Sequence, residues 1–177
     1  MRVTGLISLL ALGLTACGGE APEADHAMAG HGHSEASAEL APLPDDGVMP
    51  VVDVRAVWMR PHPGGRDVTA AYFTARLSEG AIDRLVEARI AGAGRVEMHG
   101  HSMNDEGMMQ MHQIPPQDVT DAGPLVFTPG GRHLMVFGLD TVVEGDAVEG
   151  VLVFERSGEV PVTFQVRNMA PGQVTDY

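Results

Sequence analysis

Between residues 98 and 112 the chain gathers Met98, His99, His101, Met103, Met108, Met109, Met111 and His112. Thioether sulfur prefers copper(I) to the harder cations, and imidazole accepts copper in either oxidation state. A second group, His133-Leu134-Met135, follows the turn Pro129-Gly130-Gly131 and offers one imidazole and one thioether at alternate positions. Methionine needs no deprotonation and forms no disulfide in an oxidising compartment. A neutral His/Met set therefore holds copper(I) without charge pairing, which suits a metal that is to be passed on. Methionine also fills cores, and a lone histidine is more often a surface residue than a ligand. Met98 and Met108 fit that ordinary role, whereas Met109 and Met111 beside three histidines do not.

Strands can position these donors. In an extended chain His99, His101 and Met103 share one face while Met98 takes the other, and Met109 and Met111 share a face of their own. If Asn104 to Gly107 forms a hairpin turn, the two sets meet across adjacent strands, with facing Cβ atoms about 5 Å apart. His133 and Met135 likewise share a face and leave Leu134 for the core. Strands are expected at 51–59, 69–77, 95–103, 108–113, 124–127, 133–139, 147–154 and 160–166, where runs of Val, Phe, Leu and Thr alternate with turn residues. Residues 81–91 carry a helical rhythm through Ile82, Leu85, Val86 and Ile90, and a turn followed by a strand fits them equally. The pattern as a whole predicts one all-β sandwich or barrel domain over 51–170, with a short tail at 171–177.

The first residues read differently. Arg2, an apolar run from Leu6 to Leu14, and then Thr15-Ala16-Cys17 make a signal peptide over 1–16, too short to stay in a bilayer as a spanning helix. The small residues before Cys17 resemble the lipobox of bacterial lipoproteins, so Cys17 is expected to carry the lipid and to fix the chain to a membrane on its periplasmic side. Gly18 favours the outer membrane over the inner. From Gly18 to about Pro50 the chain is rich in Ala, Gly, Glu and Pro and reads as a flexible tether. His26, Met28, His31 and His33 within it are either an auxiliary metal trap or low-complexity drift.

Several functions are excluded on composition. With its one cysteine at the anchor, the domain has no thiol for a disulfide, a thiolate metal site or a catalytic nucleophile, and a blue-copper electron-transfer centre needs such a thiolate. The net charge is -13 and every basic residue is arginine, which argues against nucleic acid as a partner. No Ser-His-Asp arrangement, phosphate loop or His-Glu-x-x-His motif marks an enzyme.

Five segments carry a family resemblance: Ala56-Val57-Trp58-Met59-Arg60-Pro61, Ala70-Ala71-Tyr72-Phe73, Val96-Glu97-Met98-His99, Met109-Gln110-Met111 and Pro129-Gly130-Gly131-Arg132-His133-Leu134-Met135. They resemble the PCu(A)C family of periplasmic copper chaperones over about Val51 to Val166, and the 21 residues between Met111 and His133 match the family's spacing. The resemblance implies a cupredoxin-like (immunoglobulin-like) β-sandwich in which His99, Met111, His133 and Met135 hold copper(I). It further implies delivery to the copper subunit of cytochrome c oxidase, alone or with a thiol-containing copper chaperone. Eleven residues separate His99 from Met111, one more than the family commonly has. His101, on the same predicted face, is thus a substitute or an extra ligand, with Met103 and Met109 as further auxiliaries. Glu97 is expected to lie exposed or to orient the imidazole of His99. A lipoprotein that stores copper for resistance, and a structural lipoprotein whose methionines only pack, are the rival readings.

Overall fold

Glycine turns divide the β-branched and aromatic runs into ten strands. The computed structural model describes residues 40 to 171 apart from Gly65, and has no helix among them. The expected signal peptide, the lipidation site Cys17 and the tether residues His26, Met28, His31 and His33 lie outside the described residues. The strands are β1 (Val51–Met59), β2 (Val68–Glu79), β3 (Ile82–Ile90), β4 (Arg95–Met103) and β5 (Met109–Gln113). They continue as β6 (Gln117–Thr120), β7 (Leu125–Phe127), β8 (His133–Phe137), β9 (Ala147–Phe154) and β10 (Gly158–Val166). Hydrogen bonding runs in the order β5-β4-β8-β2-β1-β10-β9-β3-β6, with β7 on β2. β3 also lies against β4, and β2 against β6, so strands far apart along the ladder face one another as the two layers of a sandwich.

β1 joins the layers. It pairs antiparallel with β2 along its length and turns at its end to pair in parallel with β10 through Trp58 and Met59. The switch coincides with a register shift between Arg55 and Trp58, where Ala56 adopts φ 50°. Such a bulge bends a strand and raises its twist, which is what a strand shared by two layers requires.

Period-2 alternation sends Met59, Phe73, Leu85, Met98, Leu134, Val136, Leu152, Phe154 and Phe164 into one core. Each large apolar side chain so buried contributes about 1.5 to 3 kcal/mol. Phe73 and Phe127 stack across β2 and β7 with centroids 4.5 Å apart. Because Met98, Leu134 and Val136 take the inner face, the alternate residues of β4 and β8 stand on the outer one.

Residues 81–91 are a strand, not a helix. A register shift between Leu85 and Glu87 opposite β9 changes the phase of the alternation midway, which is why the apolar residues imitate a helical period. β6 was not anticipated, since Gln117-Asp118-Val119-Thr120 offers a single apolar side chain, Val119, to the core.

Residues 40–50 do not end as free tether. Arg84 donates to the Ala41 carbonyl, and Arg156 donates to Asp45 and to the carbonyls of Pro44 and Val48. Below them Asp83 is fully buried. Its carboxylate accepts the backbone N–H groups of Arg84, Arg156 and Ser157 and the Ser157 hydroxyl.

Candidate metal centre

Three strands bring the donors together on the outer face. The β4–β8 ladder sets His99 opposite His133 and Glu97 opposite Met135. The β4–β5 hairpin sets His101 opposite Met111 and Met103 opposite Met109. Residues paired across a ladder share a face. His99, His101, Met111, His133 and Met135 therefore occupy one side of the sheet, with Leu134 and Met98 in the core beneath.

His133 is the centre of the group. Its side chain is nearly buried, at 7% exposure, and its Nδ1–H donates to the Gly131 carbonyl at 3.1 Å. That bond places the proton of the neutral ring on Nδ1 and leaves a lone pair on Nε2. Nε2 lies 3.2 Å from the sulfur of Met111, so two lone-pair donors from different strands face each other with no proton between them. Burial lowers the His133 pKa from 6.5, the Gly131 hydrogen bond opposes that shift, and His101 and His99 lower it further. A ring kept neutral in this way has its lone pair free for metal.

The other histidines flank it. The ring of His101 lies 5.4 Å from that of His133 and that of His99 lies 6.0 Å away. His101 is exposed, and its Nδ1 shares the Gly131 carbonyl at 3.3 Å. His99 is held from behind: its Nε2–H donates to Glu97 at 2.9 Å, and the other Glu97 oxygen takes Arg95 at 2.7 Å. The remaining nitrogen of His99, Nδ1, is buried with no partner. A buried acceptor left unmet costs free energy, and a bound cation would satisfy it. Glu97 thus orients the imidazole, and the register puts His101, not His99, directly opposite Met111.

Met111 is 49% exposed on β5, an edge strand that pairs only with β4. Met111, His133 and Met135 line a cleft of about 480 Å³, walled also by Arg60, His62, Arg66, Tyr72 and Asn168. Met103 and Met109 face each other nearer the hairpin tip and do not line it, and Met98 is core. Among the described residues no three His, Cys, Asp or Glu side chains converge as a metal site.

The wall residues were not singled out as site residues from the sequence. Arg60, His62 and Arg66 come from the connection between β1 and β2, Tyr72 from β2 and Asn168 from the segment after β10, all far in sequence from the donors. Arg60 and Tyr72 lie in segments that carry the family resemblance, His62 and Arg66 in a proline-rich turn, and Asn168 carried no signal. Trp58 is buried and packs on Tyr72 with ring centroids 4.5 Å apart, forming the floor behind that wall.

Known proteins share this architecture. A copper-bound PCuAC domain from PmoF2 superposes with a TM-score of 0.55 at 23% identity, over 68% of this chain and 93% of that domain. The apo form of the PmoF2 domain gives 0.56 at 21% identity, over 67% and 93%. The solution structure of apo-DR1885 from Deinococcus radiodurans gives 0.51 at 20% identity, over 90% of this chain and all of that one. These likenesses establish the expected cupredoxin-like sandwich. No curated protein sequence matches the chain. The model of the LpqE-like lipoprotein family matches residues 52–166, which spans every strand from β1 to β10. On that match the chain belongs to the LpqE-like lipoprotein family.

Proposed function

We propose that this protein is a periplasmic copper(I) chaperone that holds its cargo with His99, Met111, His133 and Met135, and that His101 assists. The contact between His133 Nε2 and the Met111 sulfur carries the reading, because the lone pair on that nitrogen is fixed by the Gly131 carbonyl. Two bare donors at 3.2 Å are poised for a soft cation and gain little from each other. A neutral set leaves copper(I) with its own charge, and the exposure of Met111 leaves one side of the metal open to an incoming ligand. A carrier, not a catalyst, follows from that chemistry. Cys17 is proposed as the lipid-bearing residue that ties the chain to the periplasmic face of a membrane, the outer one by preference. The copper subunit of cytochrome c oxidase or a thiol-containing copper chaperone is proposed as the receiver.

The full chain should compete for one copper(I) with a chromogenic chelator, and the His133→Ala/Met135→Ala double variant should not. Equal competition by that variant would overturn the site. Storage is the second reading, favoured by the exposed Met103, Met108 and Met109 at the hairpin tip. Several coppers per chain, with no transfer to an apo oxidase copper domain, would establish storage instead.

A further inference from the structure

The ten arginines among the described residues divide into two sets. Arg55, Arg84, Arg89, Arg95 and Arg156 each sit against a carboxylate, and Arg76 is engaged as well. Arg60, Arg66, Arg132 and Arg167 have no carboxylate partner among the described residues. Each is a residue of the copper cleft or its neighbour. Arg60 and Arg66 line the cleft, Arg132 precedes His133, and Arg167 precedes Asn168 and donates its backbone N–H to Met59 beside Arg60. Among the described residues no Asp or Glu lines the cleft, although the chain carries 24 of them against 11 arginines. The rest of the wall sets apolar and aromatic side chains, Pro61, Val68, Tyr72 and Met135, beside the uncharged polar His62, Thr69 and Asn168.

We propose that this cleft docks an acidic, extended segment of the protein that exchanges copper with this chain, with Arg60 and Arg66 receiving its carboxylates. The inference rests on the copper-chaperone reading and names the chemistry of the partner. A guanidinium takes a carboxylate in a bidentate fork, so two exposed arginines along one wall read spacing as well as charge. The volume accommodates side chains, and the apolar wall gives their stems something to cover. Docking there brings the partner's donors to the open side of Met111 and His133, where a ligand-by-ligand exchange of metal begins. Charge complementarity of this kind sets encounter rate and selectivity more than final affinity. Arg60 and Arg66 stand in the wall of a cleft and not on a flat face, which favours a protein segment over a bilayer as the occupant.

The test uses the full chain, a short fluorescent peptide of glutamate and alanine, and its lysine counterpart. Anisotropy should show binding of the glutamate peptide alone, weakened by added salt. The variant R60Q/R66Q should bind it on the order of tenfold more weakly. The variant R55Q/R89Q changes net charge equally away from the cleft and should bind as the wild type does. Copper(I) binding by the wild type is measured alongside by chelator competition. A wild type that fails to hold copper(I) sinks the chaperone reading, whatever the peptide does. Absence of peptide binding, or equal weakening by both double variants, overturns the docking site. Preferential binding of phosphatidylglycerol vesicles through Arg60 and Arg66 overturns the choice of a protein segment.

Discussion

Each donor's usefulness is decided by the atom on its far side. Gly131 settles which nitrogen of His133 carries the proton, and Glu97 settles the same question for His99. The candidate donors were legible in the sequence because their types and spacing are local properties. It could not name the tautomers, because a carbonyl in a turn and a carboxylate two residues away act through space. The depressed pKa of His133 has a measurable consequence. The unfolded chain takes up a proton near pH 6.5 while the folded ring takes it up lower. The contribution to stability is full above the unfolded value and is lost as pH falls through the window beneath it. The urea midpoint of the metal-free protein should therefore drop more between about pH 7.5 and about pH 5.5 in the wild type than in His133→Gln. An equal drop in both would show that His133 titrates alike in the two states.

At the scale of the element, one turn and one hairpin make the centre. β8 is hydrogen bonded on both sides, to β4 and β2, which fixes His133 and Met135, whereas β5 is held on one side only. The result is a rigid half and a yielding half. Most strands were legible because alternation and turn residues are read directly. β3 was ambiguous because its bulge shifts phase, and the register of the hairpin depended on a loop whose length alone does not fix pairing. The turn before β8 offers a test. Gly130 has φ 79° and an added Cβ there meets nothing within 4 Å, so Gly130→Ala costs backbone strain alone, about 1 to 2 kcal/mol. It should also weaken copper(I) severalfold, since the neighbouring Gly131 carbonyl aims two histidines. Gly158→Ala, with φ 76° and equally open space in the β9–β10 turn, should lose comparable stability with copper(I) affinity intact. If thermal melts and chelator competition show the two variants losing copper alike, the turn has no such role.

Across the whole molecule the buried carboxylate and the candidate metal centre stand at opposite ends of β1. Asp83 and Arg156 gather the start of β1 and residues 44–48, while the cleft opens beyond its end at Arg60. Asp83→Asn would turn a donor amide towards the N–H and hydroxyl of Ser157, or towards two other N–H groups, whichever way it flips. A loss of about 2 to 4 kcal/mol in urea unfolding is expected, with copper(I) affinity of the folded protein unchanged. A parallel loss of copper affinity would mean that the two ends communicate. The exposure of Met111 has a further consequence of its own. The sulfur that an acceptor would reach in the proposed handover is also one that peroxide or hypochlorous acid reaches, and the sulfoxide it forms is no longer a soft donor. Met59 and Met98, sealed in the core, escape that fate. Access for handover and vulnerability to oxidants are the same property of one atom, and the chain's capacity to carry copper would depend on methionine sulfoxide reductase keeping pace.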